Sequence, residues 1–278
     1  MRCLVTGVAG FIGSTLAEEL LARGHEVIGV DCFIDYYPRA NKESNLLRAR
    51  SNKSFRFIEG NLLQLELTEL LRGVDWVFHQ AAQAGVRASW GTLFATYTDN
   101  NVLATQKLLE AARHDDVRKT LRRVVYASSS SVYGHAEALP TAETARPQPI
   151  SPYGVTKLAA EHLCVLYARE FQVPTVSLRY FTVYGPRQRP DMAFHRFIRA
   201  ALEKKPITVF DDGEQSRDFT FIADIVAANI AAAEVKFAES STEHLVMNIG
   251  GGSRVTVNQV IEQLREILGS PIEVQYLR

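Results

Sequence analysis

Cys3-Leu4-Val5-Thr6-Gly7-Val8-Ala9-Gly10-Phe11-Ile12-Gly13 decides the fold. Its first half is a short apolar run that reads as a buried strand. Its second half carries glycines at three-residue spacing. From Phe11 to Ala22 the apolar residues follow a helical period, closed by Arg23-Gly24. Glycines at a strand-to-helix turn let backbone approach a pyrophosphate, and the helix N-terminus adds amides and a favourable dipole. Gly7, Gly10 and Gly13, with Phe11 and Ile12 in the first turn, are therefore candidate cofactor-binding positions. The Gly-x-x-Gly-x-x-Gly spacing is wider than the Gly-x-Gly-x-x-Gly of many dinucleotide folds, and a plain turn is its bland reading. The next strand, Glu26 to Val30, weighs against that reading by ending in Asp31, 18 residues past Gly13. That is close to the roughly 20 expected of a ribose-binding acid. A carboxylate there accepts bonds from an adenosine 2′-OH and repels a 2′-phosphate, which favours NAD over NADP.

Outward from this unit, strands alternate with helices. Strands are expected at Phe55–Glu59, Val74–His79, Arg123–Ala127 and Thr175–Phe181. Helices are expected near Ser44–Arg50, at Leu65–Leu71, Thr92–Arg113 and Pro152–Phe171. Such alternation predicts an α/β, doubly wound parallel sheet of the Rossmann kind. Asn61-Leu62 at a strand end would flank an adenine, or be plain loop. Ala81-Ala82 leave room for a ligand at the crevice. Asn100-Asn101, inside a helix, either face solvent or brace the active-site backbone. Residues 138–150 read as a surface loop.

After Tyr184-Gly185-Pro186 the character changes, with Arg187, Arg189 and Arg196 crowded together. Short strands at Ile207–Phe210, Arg217–Ile222, Leu245–Ile249 and Ile272–Leu277 follow, with helices at Asp224–Lys236 and Thr256–Leu268. The expected division is a dinucleotide-binding domain, 1–186, and a smaller C-terminal substrate lobe, 187–278, some of whose segments return to the sheet.

Ser151-Pro152-Tyr153-Gly154-Val155-Thr156-Lys157 carries the chemistry. Ser151 is a good N-cap and Pro152 suits the first helical position. Tyr153 and Lys157, four apart, share one helix face. An ammonium and a helix N-terminus both favour the phenolate, so Tyr153 is a candidate acid/base. Ser128-Ser129-Ser130-Ser131, at a strand's carboxyl end just before this helix, are candidate donors to a substrate.

Composition sets limits on partners and setting. The 278 residues hold 31 basic and 31 acidic side chains, in no long block of one sign, so neither nucleic acid nor an anionic membrane is an expected partner. Cys3, Cys32 and Cys164 are few and widely spaced, which fits a reducing compartment and no metal cluster. No signal peptide and no bilayer-spanning apolar run is visible, so a cytoplasmic location is expected.

Together these motifs resemble the extended short-chain dehydrogenase/reductase family across nearly the whole chain. Thr6 to Gly13, the Ser129/Tyr153/Lys157 set and Arg179-Tyr180-Phe181 carry the resemblance. Gly85 to Gly91 and Thr182 to Phe194 narrow it to the nucleotide-sugar 4-epimerases, above all those acting on UDP-glucuronate. The resemblance implies that Tyr153 takes the sugar 4-OH proton as C4 hydride passes to NAD, that Lys157 holds the nicotinamide ribose, and that Ser129 bonds the same sugar oxygen. It places Asn100 and Tyr180 near the cofactor. It places Arg217 at the pyrophosphate, Phe210 at the uracil, and Arg87 and Arg189 near the diphosphate or sugar, a surface ion pair being the bland reading of the last two.

Related 4,6-dehydratases carry an Asp-Glu pair at Ser130-Ser131, and related UDP-glucuronate decarboxylases a Glu at Ser131. Ser130, Ser131 and Thr182 are expected to hold a uronate carboxylate away from the geometry that loses CO2. Thr182 also points away from a neutral hexose, since UDP-glucose epimerases typically have Asn there. UDP-glucose epimerase, UDP-glucuronate decarboxylase and 4,6-dehydratase are the alternative activities. Relatives usually continue some tens of residues past a segment like Ile272 to Arg278, with late nucleotide contacts, so an NAD-binding protein without turnover is a further alternative. The family is often dimeric. Here a homodimer would pack the helices Thr92–Arg113 and Pro152–Phe171, using Leu163, Leu166 and Tyr167.

Overall fold

The computed structural model describes residues 1–136, 138–235 and 244–277. In chain order the larger unit begins with β1 (Arg2–Thr6), α1 (Phe11–Ala22), β2 (Glu26–Asp31), α2 (Arg39–Arg50), β3 (Phe55–Glu59), α3 (Leu67–Leu71) and β4 (Trp76–His79). A helical stretch follows, made of α4 (Phe94–Tyr97), a π-helical segment Thr98–Leu103 and α5 (Ala104–Ala112). Then come α6 (Asp115–Arg118), β5 (Arg123–Ser129), α7 (Pro152–Phe171) and β6 (Thr175–Tyr180). The chain continues with β7 (Thr182–Tyr184), α8 (Ala193–Leu202), β8 (Ile207–Phe210), β9 (Ser216–Arg217), β10 (Phe219–Phe221), α9 (Ile222–Glu234), β11 (Leu245–Ile249), β12 (Val255–Thr256), α10 (Val257–Leu268) and β13 (Val274–Leu277).

Seven strands form one parallel sheet in the order β11-β6-β5-β4-β1-β2-β3. This is the expected doubly wound α/β architecture. Chain direction across the sheet reverses between β1 and β4, so the crevice at their carboxyl ends is the topological switch point where such sheets take ligands. The residues there are small. A Cβ on Gly13 would stand 2.2 Å from the Gly7 carbonyl oxygen, so only glycine lets α1 start this close to the turn. Gly13→Ala is expected to cost about 1–3 kcal/mol of stability through overpacking, and to abolish the dinucleotide binding expected of this turn, read by urea unfolding and by the absorbance of heat-released nucleotide.

One face of the sheet packs Leu4, Val77, Val124 and Tyr126 against Leu108 and Leu109 of α5 and Ala160, Cys164 and Tyr167 of α7. Val124 and Tyr126 alternate along β5, as a face with period two requires. Helix α7 spans the expected residues because both its ends are marked. Ser151 Oγ accepts the Gly154 amide at 3.1 Å with Pro152 at the first position, and Gln172 closes the helix in the left-handed conformation at φ 52°.

Two compact units emerge, Met1–Tyr180 with Ile225–Ile249, and Phe181–Asp224 with Gly250–Arg278. Strand β11 pairs in parallel with β6 inside the larger unit. In the smaller unit Phe197, Ile207, Val209, Val260, Ile261 and Ile272 form a core of their own. Phe194 stacks on Tyr184, with ring centroids 5.1 Å apart, and meets Phe219 edge-on at 4.9 Å. The sequence reading assigned no helix at Ala193–Leu202, although Phe194, Phe197 and Ala201 recur at helical spacing. Helix α9 begins two residues before the expected Asp224, and its expected end, Lys236, lies outside the described residues, as does Arg278.

Candidate active site

In the larger unit the expected catalytic residues gather at the carboxyl end of β5. Lys157 Nζ donates to the Ala127 carbonyl at 2.8 Å, and a Cβ on Gly154 would lie 2.6 Å from the Ser131 carbonyl. The first turns of α7 therefore press on residues 127–131, with Ser129 between the two contacts. Lys157 Nζ sits 6.0 Å from the Tyr153 ring centroid and 5.2 Å from that of Tyr126. Tyr97 meets the Tyr153 ring edge-on at 6.3 Å. Ser129 Oγ accepts the Ser131 amide at 3.1 Å, which fixes the turn holding Ser130 and Ser131.

Burial pulls the Lys157 ammonium down to about 7, with a smaller opposing effect from Cys164. The sequence reading treated this group as a standing positive charge. Its amine and ammonium forms lie close in energy here, because 3% exposure strips the charge of water and no carboxylate pairs with it among the described residues.

The serine run divides by strand register. Ser128 and Arg179 are paired neighbours in β5 and β6, so their side chains share a face. Both meet Glu161, one turn beyond Lys157 on α7. Ser128 Oγ donates to Glu161 Oε2 at 2.7 Å, and Arg179 donates through Nε to Oε2 at 3.0 Å and through Nη2 to Oε1 at 2.5 Å. Arg179 Nη1 also donates to the Tyr133 hydroxyl at 2.7 Å, which donates to Asn248 Oδ1 at 2.7 Å. Ser128 is thus a scaffold residue, and the expectation that all four serines face a substrate is corrected for it.

Asn101, and not Asn100, is the brace. Its Oδ1 accepts the Gln83 amide at 2.7 Å, and its Nδ2 donates to the Gln83 carbonyl at 3.1 Å and to Thr156 Oγ1 at 3.0 Å. Thr156 in turn donates to the Tyr153 carbonyl at 2.8 Å. Asn100 donates to the Thr96 carbonyl of its own helix. The Tyr180 hydroxyl bonds Asn229 and Gln80, so it serves the scaffold.

At the switch point, the Asp31 carboxylate accepts the Ala9 amide on one oxygen at 3.0 Å and the Phe33 amide on the other at 2.8 Å. Each oxygen keeps a lone pair for a ribose hydroxyl. Burial raises its pKa, and the two amides and the Lys42 ammonium oppose that rise. Asn61 accepts the Leu63 amide in a turn and Leu62 is buried in the core. Ala81 stands against Gly7.

Arg87 is exposed at the start of a short helical turn, Arg87–Ser89, of the larger unit. The remaining expected substrate contacts lie in the smaller unit. Thr182 opens β7, beside Phe219 of β10. Phe210 ends β8 and is 40% exposed. Arg217 pairs with Val255 between β9 and β12. Arg189 grips Asp191 with two parallel bonds of 2.9 and 3.0 Å, the ion pair that was its bland reading.

The profile of the NAD dependent epimerase/dehydratase family matches residues 3–250. The chain belongs to this family. Among curated relatives, the uncharacterized UDP-glucose epimerase YtcB of Bacillus subtilis is 48% identical over 273 residues, covering 97% of this chain and 83% of that protein. A UDP-glucuronate 4-epimerase of Thermodesulfobacterium geofontis is 38% identical over 279 residues, covering 99% and 83%. Among solved structures, UDP-glucuronic acid 4-epimerase from Bacillus cereus, in complex with UDP-glucuronic acid and NAD, superposes with a TM-score of 0.93 at 45% identity, covering 100% of this chain and 86% of that one.

Sequence reading missed Glu161 and Arg179 as a pair, and His79, which lies buried between two threonines. A signal existed for each. An Arg inside Val-Ser-Leu-Arg-Tyr and a His inside Trp-Val-Phe-His are polar intrusions in buried strands, and such groups are found with partners.

Proposed function

We propose that this chain is an NAD-dependent 4-epimerase that interconverts UDP-glucuronate and UDP-galacturonate. The observation that carries the proposal is the 0.93 superposition, over the whole chain, on an enzyme solved with that sugar nucleotide and NAD. When bound, NAD supplies the acceptor and donor of hydride at the sugar C4. Tyr153 takes the 4-OH proton and later returns it. Ser129 donates to the same oxygen and relays its proton. Lys157 holds the nicotinamide ribose and, when protonated, favours the Tyr153 phenolate. Asn101 keeps the first turn of α7 in place through Thr156. The glycine turn and Ala81 leave space for the dinucleotide, and Asp31 takes its adenosine ribose. Ser130, Ser131 and Thr182 orient the uronate, and Arg217, Phe210 and Arg87 bind the rest of the sugar nucleotide.

Asp31→Ala tests the cofactor part separately. Loss of a charge-assisted hydrogen bond costs about 2 kcal/mol, so NAD is expected to bind about 30-fold more weakly, read by calorimetric titration of protein stripped of nucleotide. The name of the Bacillus subtilis relative favours a second reading, UDP-glucose as substrate. Mixing the protein with each sugar nucleotide in turn decides between them: preferential turnover of UDP-glucose replaces the first reading by the second.

We place the enzyme in the cytoplasm, in keeping with free Cys3, Cys32 and Cys164, and propose a homodimer. Of the stripe named for that interface, Leu163 and Tyr167 pack into the core instead. Leu166, 48% exposed, is left to support it, and Leu103 of the other named helix, 46% exposed, adds to it. Among the described residues no helix is long and apolar enough to cross a membrane.

A further inference from the structure

His79 ends β4 at 1% exposed and has no part in the chemistry above. It touches one hydroxyl on each side. Nδ1 lies 2.7 Å from Thr6 Oγ1, at the end of β1, and Nε2 lies 3.0 Å from Thr105 Oγ1, in α5. Counting protons assigns the roles. The Thr105 hydroxyl donates its one proton to the Asn101 carbonyl at 2.7 Å, so towards His79 it only accepts. Nε2 therefore carries the ring proton and Nδ1 is bare. The Thr6 hydroxyl donates to Nδ1, and Thr6 Oγ1 accepts the Ala81 amide at 3.2 Å. Every donor from the Asn101 carbonyl to the Ala81 amide has an acceptor.

The other forms fail the same count. With the proton on Nδ1, the Thr6 proton has no acceptor among the described residues and Thr105 forfeits Asn101. An imidazolium has the same shortage and adds a buried charge. Burial, helped by Lys157, accordingly drives the ring's pKa down to about 3.

We infer that His79, locked as the neutral Nε2–H tautomer, is a positioning residue that ties the crevice loop after β4 to the Asn101 brace beneath Tyr153. One end of the chain is Ala81, against Gly7 of the dinucleotide turn. The other is Asn101, which grips Gln83 of the same loop and, through Thr156, the Tyr153 carbonyl. The loop is thereby clasped at two points, and both clasps meet at His79. The effect on turnover rests on the role proposed for Tyr153; the tautomer and the clasp do not.

Two measurements on the whole protein as isolated test this. Long-range proton–nitrogen correlation of nitrogen-15-labelled histidine, with His79 assigned by its contacts to Thr105 and Tyr126, is expected to show a protonated Nε2 and a bare Nδ1 from mildly acidic to mildly alkaline pH. A protonated Nδ1, or a ring that titrates in that range, overturns the inference. Thr105→Val keeps the side-chain shape and removes the link. It is expected to speed exchange of the Gln83 amide about tenfold while the Val124 amide of β5 stays unchanged, and to lower kcat about tenfold at unchanged KM. Uniformly faster exchange, or none at Gln83, would mean that the ring only fills space. Local acceleration at Gln83 in a protein that turns over no sugar nucleotide supports the clasp and counts against the activity instead.

Discussion

Tyr153→Phe is expected to lower turnover of the sugar nucleotide by about a hundred- to ten-thousandfold, the usual share of a general acid–base. The substitution removes one oxygen and keeps the ring that packs edge-on against Tyr97 at 6.3 Å. Neither the N-cap bond from Gly154 to Ser151 nor the Asn101–Thr156–Tyr153 carbonyl chain involves the phenol. Fold, melting temperature and retained NAD should therefore match the parent. Kinetics on matched samples, with nucleotide released by heat and counted, check both halves. A loss smaller than about tenfold would move the acid–base role to another group.

The largest effect on stability is expected from Arg179→Met, at about 3–5 kcal/mol, because it leaves the Glu161 carboxylate buried without its cation. The pair is 5% and 3% exposed, and it gathers Ser128 and Tyr133 as well. Among the described residues, ionised Glu161 would keep only the Ser128 donor. Urea unfolding of Arg179→Met and of the double variant Arg179→Met/Glu161→Leu separates two accounts. If the penalty is an orphaned charge, the second substitution recovers part of it; if it is lost packing alone, the double variant is no more stable than the single. Both are expected to weaken catalysis, since Ser128 precedes Ser129 and Glu161 follows Lys157 by one helical turn.

The sheet and its glycine turn were legible because each rests on local pattern. The run from Cys3 to Asp31 and the helix from Pro152 to Phe171 carry their own period, glycines and caps. Which asparagine faces inward was not legible. A helical period counted from Thr92 assumes 3.6 residues per turn, and the π-helical segment Thr98–Leu103 breaks that phase just where Asn100 and Asn101 sit. The serine run failed for a related reason. Four hydroxyls look alike in sequence, but β5 runs on through Ser129, so Ser128 and Ser129 point to opposite faces. Pairings such as Glu161 with Arg179, or His79 with Thr6 and Thr105, join residues far apart in the chain, and register creates them only once the strands are side by side.

The central claim, epimerisation at C4 of UDP-glucuronate by a chain that retains its own NAD, is tested most directly by proton NMR of the purified protein mixed with UDP-glucuronate and no added cofactor. The account predicts growth of UDP-galacturonate signals to a steady ratio, with no pentose product. Unchanged UDP-glucuronate, or release of CO2 with UDP-xylose or a 4-keto pentose, would contradict it.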